Sequence, residues 1–170
     1  MLNSNTTDAS TREAAEAVPY MLRTRNYYRA MGYQKDFSWP SFDDTPLRPL
    51  AVPLADSRIT IISTAGPKHW AVESQDQRSV WSADTQALPE AFFTEVAWDK
   101  ESTHTRDVAS YVPHRALRDL ADAGVIGALG ERMHSVPTRY SERRTLQIDA
   151  PQILERCRQD GADAALLTAL

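Results

Sequence analysis

The run Arg58-Ile-Thr-Ile-Ile-Ser-Thr64 constrains the fold more than any other stretch of the chain. It is short, β-branched and almost continuously apolar, and Ala65-Gly66-Pro67 closes it with a turn signal. A half-buried strand alternates polar and apolar residues. One without alternation is buried on both faces, as in a parallel sheet covered by helices. A second apolar run begins at Asp163, in DGADAALLTAL, after a helical stretch that Gly161 ends. Strand, helix and strand in succession predict an α/β domain: a layered, mostly parallel sheet with flanking helices. The two strands are expected side by side in the middle of that sheet. A parallel strand ordinarily leads into a crossover helix, so the domain is expected to be incomplete at its carboxyl terminus. An edge position for the last strand is the alternative, although LLTAL lacks the charges that protect edges.

The remaining elements follow from breakers and caps. Residues 1–17 form a polar lead-in and a short helix, with Ser10 and Glu13 spaced as a capping box. A helix from Pro19 to Met31 is closed by Gly32. Prolines 40, 46, 49 and 53 then make an extended strap, which Phe37, Trp39 and Phe42 are placed to pin down. Residues 67–91 are expected to be an irregular loop, and Phe92–Trp98 a weak strand. Pro113 opens a helix with Leu117 and Leu120 inward and Gly124 as terminator. A short apolar segment follows at Val125–Leu129, then a loop, SVPTRYSERR. Asp149 is the expected cap of the helix APQILERCRQD. Residues 18–170 are taken as one domain.

Composition excludes several function classes. The net charge is -4, from 19 basic and 23 acidic residues scattered along the chain, so no phosphate-tracking groove for nucleic acid is expected. No apolar run approaches the roughly 20 residues that cross a bilayer. The polar, slightly acidic start is unlike a leader peptide, and a cytoplasmic protein is expected. A single cysteine excludes an internal disulfide framework and a multi-cysteine zinc site.

Five groups could carry chemistry. His104, in DKESTHTRD, could act as a general base or metal ligand with Asp107 orienting the ring, or be a solvated loop histidine. His134, in RMHSVPTRY, could supply a ligand contact from a loop, or be a satisfied histidine. No HxxxH or HxH spacing links them, so no metal and no cofactor is assigned. Cys157 shares a helical face with Ile153 and Leu154 near a helix carboxyl end, the profile of an inert, buried thiol. Ser63-Thr64-Ala65-Gly66 offers small residues at a strand's carboxyl end, without dinucleotide-binding spacing. Trp39, Trp70, Trp81 and Trp98 line a small-molecule pocket or pack loops onto the core.

Four stretches together resemble a known family: VPYMLRTRNYYRAMGY, SRITIISTAG, WDKESTHTRDVASYVPHRALRDLADAGVIGALGERMHSVP and APQILERCRQDGADAALLTAL. They are similar to the glycine/sarcosine/betaine/D-proline reductases, of the selenoprotein B type and its shorter homologues, from about Val18 onward. The resemblance implies that selenocysteine or cysteine, two residues and a cysteine follow the strand matching DAALLTAL. That redox motif lies beyond the 170 residues, and a UGA codon after Leu170 is the expectation. It also implies that His104, Asp107 and His134 face the active site as substrate or proton-transfer groups. The implied partners are a small-molecule substrate, other reductase subunits and a thiol-disulfide reductant. A non-catalytic binding or partner subunit of the same fold is the competing reading.

Overall fold

The computed structural model describes residues 17–36, 41–46, 48–94, 101, 104–139 and 141–170. The chain divides into two compact units, Met1–Asp43 and Asp44–Leu170. The first contains helix α1, Tyr20–Ala30, where the proline at 19 predicts its start. Gly32, at φ +92°, ends it, a conformation that costs a glycine little. Arg29 pairs with Asp36 through two hydrogen bonds of 2.8 and 2.6 Å, and none of the helix is buried. The short helix expected before Pro19 lies outside the described residues.

The second unit begins within the proline strap, whose described residues carry no regular element until a short 3-10 turn at Leu54–Asp56. Phe42, in the first unit, is exposed, while Phe37 and Trp39 are outside the described residues. Strand β1 is Arg58–Ser63, as its composition predicts. It is followed by β2 (Trp81–Asp84), α2 (His114–Asp122), β3 (Ala128–Leu129) and β4 (Arg132–Ser135). Then come α3 (Glu142–Arg144), α4 (Ala150–Gln159) and β5 (Ala164–Thr168).

The five strands form one mostly parallel sheet with flanking helices, so the unit is α/β. β5 runs parallel to β1 over Ile59↔Ala164 to Ser63↔Thr168. β3 and β4 share the opposite side of β1, pairing near its start and its end respectively. β2 closes the sheet antiparallel to β4, with Ser82 opposite His134. The two strands legible in the sequence are neighbours, as expected, but only β1 is central. β5 pairs with β1 alone among the described residues, and Leu167 is 73% exposed. Its backbone therefore has one free side, which corrects the expectation that both strands lie in the middle.

Alternation assigns the side chains to two faces. Ile59 and Ile61 of β1, Met133 of β4 and Ala83 of β2 point one way, into a core with Leu117 of α2, Val112 and Ile126. Thr60, Ile62, Ser82, Arg132 and His134 point the other way, toward α4. Leu117 is buried as expected, whereas Leu120 is exposed. Gly124 and Gly161, at φ +69° and +64°, end α2 and α4 as predicted.

Two short strands were not expected from the sequence. β2 lies inside the supposed loop at 67–91, and β4 overlaps the polar stretch around His134. Of the segment expected as a strand, Phe92 and Thr94 carry no regular element and Phe93 makes a bridge to Gly66, while residues 95–98 fall outside the described residues. Asp149 is not a cap. A π-helical turn, Thr145–Asp149, joins α3 to α4, so no free helix start exists there. Ser141 is the cap, accepting the Arg144 N–H at 3.4 Å.

Candidate functional site

Two sets of polar groups stand out in the second unit. The first is at the carboxyl edge of the sheet. Small residues let the chain turn sharply there: Ser63 Oγ accepts the Ala65 N–H at 3.1 Å, and Ser135 Oγ donates to the Ala65 carbonyl at 2.5 Å. The Trp70 ring lies directly over Gly66, where a Cβ would meet ring carbon at 2.0 Å. Trp70 is thus buried packing. Trp81 is half-buried and meets Phe92 edge-on at 6.4 Å, while Trp39 and Trp98 are outside the described residues. Beside this turn, Thr64 Oγ1 accepts the Leu170 N–H at 3.0 Å. The hydroxyls of Thr64 and Thr94 lie 3.4 and 3.3 Å from the Leu170 carbonyl oxygen. Two threonines from separate segments therefore hold the chain where it leaves β5.

The second set is a buried polar chain between the sheet and α4. His134 sits on a strand, not on the loop the sequence suggested, and is fully buried. Arg156 Nη1 donates to Ser82 Oγ at 2.7 Å, and Ser82 Oγ lies 2.8 Å from His134 Nδ1. The Ser82 oxygen has two lone pairs, so it accepts from the guanidinium and can still donate to Nδ1 or accept from it, as the ring tautomer dictates. On the other side of the ring, Nε2 is 3.2 Å from Asp160 Oδ2 but off the line of a good hydrogen bond. Arg132 grips the same carboxylate in bidentate fashion, with Nε at 3.0 Å from Oδ1. Burial pushes the His134 pKa down; Asp160 opposes this, and Arg132 and Arg156 reinforce it. Serine, histidine and aspartate meet here as in a hydrolase triad. Yet the imidazole is sealed from solvent, and neither of the two described cavities borders Ser82 or His134.

The other predicted site residues lie apart from this chain. His104 and Asp107 are exposed, in a turn anchored by the Tyr111 hydroxyl donating to the Thr105 carbonyl at 2.9 Å. Among the described residues neither forms an ion pair, and no group of three His, Cys, Asp or Glu could hold a metal. Burial, followed by the Asp160 charge, pushes the Cys157 thiol up, so it stays protonated. It lines an apolar groove of about 450 Å³ with Ile62, Ile153, Leu154 and Leu167. A separate buried pair, Arg139 with Asp149 at 2.6 Å, ties the segment after β4 to the start of α4. Breaking such a pair leaves an uncompensated charge and costs about 3–5 kcal/mol.

No protein-family model matches the chain, and no curated protein or solved structure is significantly similar to it. No helix among the described residues is long and apolar enough to cross a membrane.

Proposed function

We propose that this chain is the amino-terminal part of a selenoprotein B-like reductase, which cleaves the C–N bond of a small amino acid or its N-methyl derivative. One observation supports the reading above the rest. β5 runs parallel beside β1, and its carboxyl end is held by Thr64 and Thr94 at the carboxyl edge of the sheet. In parallel α/β sheets that edge is where ligands bind. A residue placed just beyond it can also meet the start of a following helix, whose free N–H groups favour an anionic thiolate or selenolate.

In this reading the layered sheet continues past Leu170 into the redox motif and a covering helix. The selenolate or thiolate attacks the carbon bearing nitrogen and forms a carbon–chalcogen bond as the amine leaves. A dithiol then supplies two electrons: one sulfur bonds to the chalcogen as the carbon leaves and takes a proton, and the second sulfur displaces the chalcogen, leaving a disulfide. His104 and Asp107 act on the substrate or its protons, and His134 is carried two strands from β5, in register with Ile62 and Leu167. The chain as written holds no cofactor, and the reaction uses a small substrate, further reductase subunits and a thiol reductant in the cytoplasm. Reading the codons after Leu170 tests this. UGA or a cysteine codon, two residues and a cysteine are expected; an ordinary stop with no related sequence downstream overturns it.

The competing reading is a non-catalytic binding or partner subunit. The apolar groove beside the open edge of β5 favours it, because both could take a ligand or a partner chain. A monomer of the 170 residues with a sharp melting transition supports this reading, whereas aggregation supports the first.

A further inference from the structure

A buried chain of polar groups ties α4 to the sheet through an imidazole that is sealed from solvent. Arg156 donates to Ser82, Ser82 Oγ lies against His134 Nδ1, and Nε2 faces Asp160. A second proton would put a full charge on this fully buried ring, where only one carboxylate offsets the loss of water and the nearby guanidinium groups.

The groups around the ring come from every element packed on it. Ser82 arrives from β2, Arg132 from β4, and Arg156 and Asp160 from α4 and its end. Cys157 lies within reach of the Asp160 charge. From β1, Thr60 donates to the Arg132 carbonyl at 3.0 Å and Arg58 to the Asp160 carbonyl at 2.7 Å. One carboxylate therefore meets the imidazole directly, and two guanidinium groups act on it from one residue further out. We propose that the Arg156–Ser82–His134–Asp160 chain is an acid-sensitive latch, which holds α4 and the turn into β5 against the sheet and releases them when the ring takes a second proton.

The sign follows from the burial of His134. Its pKa is lowered when the latch is closed, so the open form binds the proton more readily. Closure is favoured above the ordinary histidine pKa of about 6.5 and weakens as pH falls below it. Opening would widen the groove lined by Ile62 and Cys157. His69, His104 and His114 are exposed or half-buried and lack these partners.

Amide hydrogen exchange of the full chain at about pH 7.5 and 5.5 tests the latch, after correction for the intrinsic pH dependence of exchange. Opening of residues 153–168 is expected to rise several-fold at the lower pH, bounded at about tenfold for one proton, with α2 unchanged. His134→Gln should abolish the rise. Should that variant fail to fold, Arg156→Gln removes one opposing cation and should shrink the rise while leaving it centred on the same residues. An equal rise in α2, a wild-type chain indifferent to pH, or an undiminished rise in either variant overturns the proposal.

Discussion

The two faces of the sheet are held in opposite ways. One is dry and apolar: Ile59, Ile61 and Met133 pack against Leu117 and Val112. The other puts Arg132, His134 and Ser82 against Arg156 and Asp160, with an apolar groove only beside β5. Apolar packing is non-directional and tolerates small shifts, whereas a buried polar chain is directional and favours the arrangement that pairs its donors with acceptors. The first face supplies stability. The second supplies one fixed arrangement of α4, and with it the path of the chain into β5.

Substitutions on the two faces should separate these contributions. Ile61→Ala removes a fully buried side chain from the apolar face and should cost about 2–5 kcal/mol in urea denaturation, with little dependence on salt. Asp160→Asn removes the charge that Arg132 and His134 share, and should cost about 1.5–3 kcal/mol. Because Arg132 is partly exposed, that loss should shrink in high salt, where the wild-type pair is itself screened. A salt-independent Asp160→Asn would erase the contrast between the faces. Leu167→Ser, at a 73% exposed position on β5, should change stability by less than about 0.5 kcal/mol. A larger loss in chain purified from its own cells would mean that something covers this edge there.

Much of the fold was legible because its signals are local. β1 announces itself by β-branched, apolar residues, and Gly32, Gly124 and Gly161 end helices at positive φ. β2 and β4 escaped notice because WSAD and RMHS carry polar side chains toward α4, where a buried polar chain receives them. A strand with such residues resembles a loop until its partners are known. His134 stood out as a titratable residue, but Ser82 and Asp160 did not. They lie far from it along the chain, so no spacing rule links them. Asp149 matched a capping pattern, yet the π-helical turn before α4 left it no helix start to cap, and Arg139 claims its carboxylate.

The placement of a reactive residue just beyond β5 is tested most directly by mass spectrometry of the protein from its native cells. Trypsin should release a carboxyl-terminal peptide beginning at Gln159. The account predicts that this peptide runs through Leu170 into selenocysteine or cysteine, two residues and a cysteine. A peptide that stops at Leu170 in every molecule would contradict it.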